Sequence, residues 1–314
     1  MTTDPRKAAI IGCGAVGASI AFRFLQQGLF SKLVLVDVNR AKAEGEAMDL
    51  SDGLPYGSAM EISAGGYDDL ADCFLVVITA GANQKPGETR LDLIGKNTAI
   101  LKSILTEINA RGFQGILLIV SNPVDVLTYA AWKLSGCPRG RVIGSGTVLD
   151  TARLKQLLGE ELAVDSRNIH AFIIGEHGDS ELAVWSGANV SGIDLDQFCQ
   201  LRGGVDNCHL DQLYRRVRDS AYEIIRRKGA TYYGIAMSVR RICACIIRNE
   251  RSILPVSSMM HGEYGIRDIA LSMPAVLGLD GVETHVPISL NEDETTRLIQ
   301  SAETLKGIAE GLEL

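Results

Sequence analysis

Three segments of this chain carry side chains that can move charge. Gly175-Glu-His177-Gly-Asp179 sets a histidine between glycines, directly after an apolar run. Small flanks leave room for a substrate beside the imidazole. A histidine near its ordinary pKa gives or takes a proton at neutral pH. Gly144-Ser-Gly-Thr-Val-Leu-Asp150-Thr-Ala-Arg153 offers it a partner. Asp150 and Arg153 share a helical face, so the bland reading is a local ion pair. The functional reading divides the labour. Asp150 holds His177 in one tautomer and raises its proton affinity, while Arg153 grips a carboxylate bidentately. The third segment, Ala80–Arg90, is a polar Gly/Pro loop after the apolar run Phe74–Ile78, with an amide, Gln84, and a permanent cation, Arg90. Loops at the carboxyl ends of strands are where α/β proteins keep their chemistry. Asn122, before Pro123, is either a turn residue or a hydrogen-bond donor to a reacting oxygen or a cofactor.

A fourth segment works through its backbone. In Gly12-Cys-Gly14-Ala-Val-Gly17 the first glycine allows a tight turn and the second lets a pyrophosphate approach. The third lets helix pack on strand, and the helix N-terminus adds partial positive charge. Asp37 follows about twenty residues on, at the end of the next apolar run. An acid there accepts both ribose hydroxyls and repels a 2′-phosphate, which favours NAD over NADP. A ligand-free glycine turn and an FAD site are the alternatives; no further flavin feature is present.

The elements that must position these groups follow from the apolar pattern. Ala8–Ile11, Leu33–Val38, Met60–Ser63, Phe74–Thr79, Ile116–Ser121 and Val142–Ile143 are short, Val/Ile-rich and bounded by Gly, Asp or Asn. Continuous rather than alternating hydrophobicity predicts strands covered on both faces. Helical stripes lie between them: Val16, Ile20 and Phe24, then Leu91, Ile94, Thr98, Leu101, Leu105 and Ile108. The alternation predicts an α/β, Rossmann-type doubly wound parallel sheet over residues 1–145. Residues 146–314 read as an α+β substrate-binding domain. Its helices fall at Leu149–Leu158, Leu210–Arg227 and Ala230–Ile247, and a C-terminal helix carries Leu298, Ala302, Leu305, Ile308 and Leu312. Its strands fall at His170–Ile174, Ala183–Ser186, Ile253–Met260 and Thr284–Leu290.

Composition removes several function classes. The 314 residues are 46% hydrophobic with net charge −7, enough for a large core and a poor match to nucleic acid or anionic membranes. No run approaches the roughly 20 apolar residues of a membrane span, and no signal-peptide core follows the N-terminus. Seven scattered cysteines without a C-x-x-C pair predict buried free thiols, among them Cys13, Cys73 and Cys243, rather than disulfides or a metal site. The expected compartment is the cytoplasm. His209 and His285 read as satisfied or exposed histidines.

Together, Gly12–Gly17 with Asp37, Ala80–Asn97, Val120–Asp125, Gly144–Arg153, Gly175–Glu181 and Lys228–Tyr233 resemble the L-lactate/malate dehydrogenase family. The likeness runs end to end and is greatest to its bacterial NAD-dependent L-lactate dehydrogenases. It implies reversible reduction of pyruvate by NADH. His177 matches the family's proton donor and acceptor, Asp150 its hydrogen-bonded carboxylate, and Arg153 the residue binding the substrate carboxylate. Arg90 matches the loop arginine that polarises the carbonyl. Asn122, Asp125 and Thr231 match pocket positions. Val16, Asp37, Lys42, Tyr67, Gly81, Ala82, Ser103, Val120 and Ser145 match cofactor-contacting positions, with the three glycines of the cradle. A homotetramer is also implied. Members activated by fructose 1,6-bisphosphate carry an arginine and a histidine at a subunit interface; Lys155 and His170 stand there in this chain.

Three rivals remain at the level of sequence. A malate dehydrogenase needs a loop cation for a second carboxylate, and Gln84 supplies none. A dehydrogenase for bulkier 2-hydroxy acids, such as 2-hydroxyisocaproate, needs a roomier pocket. A non-catalytic NAD-binding protein would be free to lose His177, Asp150, Arg90 or Arg153, and all four are present.

Overall fold

In a computed structural model the described residues are 3–82, 90–201, 208–312 and 314. Gln84 and the side chains of Arg90, Leu91 and His209 lie outside them. The first half runs β1 (Asp4–Ile11), α1 (Ala15–Gln27), β2 (Lys32–Val36), α2 (Arg40–Asp52), β3 (Glu61–Ala64), β4 (Cys73–Ile78), α3 (Arg90–Ala110), β5 (Ile116–Ile119), α4 (Val124–Ser135), β6 (Val142–Gly144). These strands pair in parallel in the order β3-β2-β1-β4-β5-β6. That order reverses direction between β1 and β4, and ligands of doubly wound sheets bind at such a switch point.

The unbroken apolar runs are explained by what covers each face. Alternate residues of one strand enter different cores. Ala8 and Ile10 pack with Leu75, Val77, Ile20 and Phe24 on one face. Ala9 and Ile11 pack with Val76, Ile78, Leu101 and Leu105 on the other. With both faces buried, neither register tolerates a polar residue. Ile20 and Phe24 of α1 and Leu101, Leu105 and Ile108 of α3, from the expected stripes, do this covering, while Ile94 packs in a different core.

The second half runs α5 (Val148–Leu162), β7 (Ile169–Ile174), β8 (Leu182–Val190), β9 (Ile193–Asp194), α6 (Leu195–Leu201), α7 (Cys208–Lys228), α8 (Tyr233–Ile247), β10 (Ser252–His261), β11 (Arg267–Gly278), β12 (Gly281–His285), α9 (Glu292–Glu310). β7, β8 and β9 form a small antiparallel sheet. β10 joins β6 antiparallel through Ser257 and Gly144, so the large sheet continues through β11 to β12. α8 crosses back to pack Val239, Ile242 and Cys243 in the same core as Ile20 and Phe24. The two halves thus share a sheet and a core.

The reading of this half departs from the structure in three places. β11, the main antiparallel partner of β10, has no counterpart in the reading above. The strand expected at Thr284–Leu290 instead occupies Gly281–His285, and residues 286–290 are irregular. The Val286 amide still donates to the Pro274 carbonyl at 2.8 Å, but Pro287 cannot donate to a ladder, and the strand goes no further. α8 starts at Tyr233 rather than Ala230, because Gly229 adopts φ +84° and Thr231 lies in the turn after it. Cys13, Cys73 and Cys243 are buried and free, and no disulfide occurs among the described residues. Among the described residues no helix is long and apolar enough to cross a membrane.

Candidate active site

The glycine cradle sits at the switch point. Gly12 follows β1 at φ +103°, where a Cβ would lie 2.6 Å from the Ala80 nitrogen. A Cβ on Gly17 would fall 1.9 Å from the Gly12 carbonyl oxygen, so α1 approaches the turn only because that atom is missing. The Thr79 hydroxyl donates to the same carbonyl at 2.7 Å and ties β4 to the turn. Gly14 differs: a Cβ there meets nothing within 4 Å, and it caps α1 with no side-chain hydrogen bond. The first-turn amides of α1 therefore face open space, as an anion site requires. Asp37 stands just past β2. Its oxygens accept the amides of Cys13 at 2.7 Å and Asn39 at 2.9 Å. Each keeps a further lone-pair direction for a hydroxyl. These residues fit a dinucleotide.

Other expected cofactor positions distribute unevenly. Val16 lies in the first turn of α1 and is half-buried, while Val120 and Ser145 are buried at the ends of β5 and β6. Gly81 and Ala82 follow β4. Tyr67 is half-buried under the Arg111 guanidinium. Lys42 and Ser103 are exposed. Sequence reasoning passed over Asn97, which is 4% exposed on α3. Its side-chain oxygen accepts the Ala82 amide at 2.8 Å, and its nitrogen donates to the Asn122 carbonyl at 2.7 Å. It joins the root of the 83–89 segment to the Asn122 turn. An amide three positions after Ile94, on the apolar stripe of α3, was the available signal.

α5 and the turn after β7 assemble the second group. One Asp150 oxygen lies 2.6 Å from His177 Nδ1, and the other accepts Arg153 Nη1 at 2.9 Å. The local ion pair and the histidine contact therefore coexist, each on its own carboxylate oxygen. Asp150 is almost sealed from solvent, while a quarter of the His177 side chain is exposed. Asp125, at the first turn of α4, accepts the His177 backbone amide at 2.7 Å and the Ser272 hydroxyl at 3.1 Å. It thus fixes where His177 begins rather than facing outward. Asn122 is exposed beside it, and Thr231 is half-buried. His285, by contrast, is a satisfied core histidine between Ser258 at 2.7 Å and Glu263 at 2.9 Å.

Charge within this group is unevenly shared. Burial favours neutral His177, but the adjacent Asp150 carboxylate outweighs it and lifts the imidazole to about 9. Burial likewise opposes ionised Asp150, yet His177 and Arg153 hold it below the usual carboxylate range. Asp125 has no such cation in contact, and burial pushes it up to about 6. The arrangement is a histidine poised to carry a proton, oriented through Nδ1, so that Nε2 is the nitrogen a substrate would meet. A guanidinium stands next to it.

Lys155 and His170 open on one cavity of about 400 Å³ with Ser238, Arg241, Met237 and Pro255. Burial depresses the Lys155 ammonium.

Comparison with known proteins gives this geometry its lineage. Residues 6–144 match the NAD binding domain of lactate/malate dehydrogenase, and residues 147–313 match its alpha/beta C-terminal domain. An L-lactate dehydrogenase of Acetivibrio thermocellus is 49% identical, covering 98% of both chains. One of Bacillus caldolyticus is 50% identical over 96% of both. The crystal structure of a minor L-lactate dehydrogenase from Enterococcus mundtii superimposes with a TM-score of 0.96 at 45% identity, covering 98% of this chain and 99% of that one. A lactate dehydrogenase from a Medee basin deep-sea metagenome gives 0.95 at 48% identity, covering 99% of both. A nucleotide cradle at a switch point, an Asp150–His177 pair beside Arg153, and matches across both halves place the chain in the lactate/malate dehydrogenase family.

Proposed function

We propose that this chain is an NAD-dependent L-lactate dehydrogenase that reversibly reduces pyruvate to L-lactate. The observation that carries the reading is the Asp150–His177 contact at 2.6 Å with Arg153 on the same aspartate. Bound in the cradle, NADH supplies the hydride. Arg153 orients the substrate by its carboxylate. His177, protonated at neutral pH, passes its Nε2 proton to the carbonyl oxygen. Asp150 stabilises the imidazolium before transfer and holds the ring's orientation after it. Arg90, opening α3, is assigned the polarising role at the same oxygen, and Asn122 and Thr231 the neighbouring pocket walls. Asp37 and the three glycines hold the nucleotide, with Val16, Gly81, Ala82, Val120 and Ser145 around them; Lys42, Tyr67 and Ser103 complete that set at its rim.

Gln84 decides between pyruvate and oxaloacetate in this reading. A second carboxylate left without a cation in a closed site costs about 3–5 kcal/mol. That is roughly a hundredfold to a few thousandfold against oxaloacetate. The division of labour is between residues 1–145, which bind nucleotide, and 146–314, which bind substrate. We assign a homotetramer from the family and, from the buried free thiols, the cytoplasm. Lys155 cannot clamp a phosphate as an arginine does, and its cavity is largely apolar. Any response to fructose 1,6-bisphosphate is therefore expected to be weaker than an arginine would give.

The test is NADH oxidation with pyruvate, oxaloacetate and 2-ketoisocaproate side by side, with and without the sugar bisphosphate. Pyruvate should be preferred over oxaloacetate by at least about a hundredfold in kcat/KM. Faster turnover of oxaloacetate or 2-ketoisocaproate would overturn the assignment.

A further inference from the structure

Glu181 has no place in the chemistry so far, yet it is the least comfortable side chain near it. It is 4% exposed, at the end of the His177 turn and the start of β8. Its backbone is fixed from two sides: the amide donates to the Gly178 carbonyl at 3.2 Å, and the Tyr214 hydroxyl of α7 donates to its carbonyl. The side chain is thus delivered inward. One Glu181 oxygen, one Asp150 oxygen and one His177 ring nitrogen all lie within 4.8 Å of one another. Glu181 Oε1 is buried with no hydrogen-bond partner.

A carboxylate oxygen sealed from water and unpartnered is costly, whereas a carboxylic acid in the same place leaves no charge to solvate. The nearby cations relieve it only in part, and none bonds Oε1. Arg153 Nη1 and His177 Nδ1 are both engaged by Asp150. The same engagement speaks against a metal, because the Asp150 oxygens are occupied.

We infer that Glu181 is a positioning residue of this active site. It is a carboxylic acid at neutral pH, and its own loss of a proton strengthens the hold of His177 on the catalytic proton. The inference rests on the dehydrogenase reading above and names a residue that works through His177. The charges facing the pair are Asp150 and Arg153 from α5, Asp125 from α4 and Arg218 from α7, and Glu176 of the same turn acts on Asp125. Burial and Asp150 push Glu181 up to about 8, against His177, Arg153 and Arg218. As pH rises through that range a second carboxylate forms beside the imidazolium. His177 then keeps its proton to higher pH than one aspartate alone would allow.

The experiment compares wild type with Glu181→Gln, which keeps the shape and removes the titration. Expected is an alkaline limb of kcat/KM for pyruvate that moves to lower pH by on the order of one unit. Activity near pH 6.5 should change less than about threefold. Modification of His177 by diethylpyrocarbonate, followed by peptide mass spectrometry, reports the same midpoint without any turnover. It should fall by the same amount. Superimposable limbs and midpoints overturn the role of Glu181 and leave the dehydrogenase reading standing. A wild type inactive on pyruvate overturns that reading and leaves the modification curve to judge Glu181. Should the glutamine variant not fold, carbon NMR of the wild-type carboxyl decides. Titration above pH 7 supports the inference, and titration below pH 5 overturns it.

Discussion

The nucleotide cradle and the histidine cluster achieve placement by opposite means. At the cradle almost everything is backbone. Gly12 and Gly17 bring main chain closer than a Cβ permits, and the one charge, Asp37, is pinned by two amides. At the cluster almost everything is titratable. His177, Asp150, Asp125 and Glu181 lie together with Arg153, and their protons depend on one another. The cradle is built of main chain and, at Gly12 and Gly17, intolerant of added atoms. In the cluster a change of charge on one group acts on the others. Binding without reaction suits the first; proton transfer needs the second.

The contrast breaks most visibly at His177. His177→Gln keeps a hydrogen-bonding side chain but removes the titrating ring. Loss of a positioned acid–base group lowers rate by about 10²–10⁴. We expect a kcat for pyruvate reduction down by that factor, with NADH affinity within about twofold of wild type by fluorescence titration. A variant that retains a tenth of wild-type kcat would move the proton elsewhere and dissolve the distinction between the two regions.

The same contrast explains what was legible in the sequence. The cradle is local: its glycines stand within six residues, and its strand and helix flank it, so spacing alone exposes it. The parallel strands were legible because both faces are buried, as Ala8–Ile11 shows. His177 and Asp150 were legible as candidates because one sits in and the other just after a Gly-rich segment, but their contact needed two elements to meet. Asp125 was placed in the right segment without its task, since an acid that receives a backbone amide leaves no spacing signature. Glu181 and Asn97 were missed for a related reason. Each is a polar residue among polar neighbours, and only burial in the fold decides its meaning. β11 escaped because Arg267 and Asp268 open it with charges and Pro274 stands inside it. It is a strand by virtue of its pairing with β10, which runs from Ser252–Leu277 to His261–Arg267.

Added atoms should separate the regions next. Gly17→Ala places a methyl 1.9 Å from the Gly12 carbonyl, whereas Gly14→Ala meets nothing within 4 Å. Overpacking of this kind costs about 1–3 kcal/mol. We expect Gly17→Ala to lower both the melting temperature and NADH affinity, the latter by roughly five- to a hundredfold. Gly14→Ala should leave the melting temperature unchanged and weaken only nucleotide binding, because its methyl enters the space that the pyrophosphate needs. Equal melting temperatures for the two variants would mean that α1 can withdraw from the turn, and that close approach is not what builds the cradle.

The smallest effect, and the one that belongs to the cluster alone, is the response of the unmodified protein to pH. Asp150 raises His177 from an ordinary value of 6.5 to about 9. A histidine whose folded-state pKa is raised stabilises the fold fully below its unfolded value. That contribution fades as pH climbs through the folded value. Asp125 runs the same way at lower pH: raised to about 6 by burial, it weighs against the fold as pH rises from about 4 toward 6. From these two groups the melting temperature should be highest at about pH 4 and below, then decline in two steps, from about pH 4 to 6 and from about 6.5 to 9. Pyruvate reduction should follow the protonated imidazole. With a midpoint near 9 it is nearly flat from pH 6.5 to 8 and falls about tenfold by pH 10. NADH affinity, held largely by backbone amides, should stay level across the same range. An alkaline limb in the binding constant as steep as that in kcat/KM would place the titrating group in the cradle, contrary to its construction from main chain.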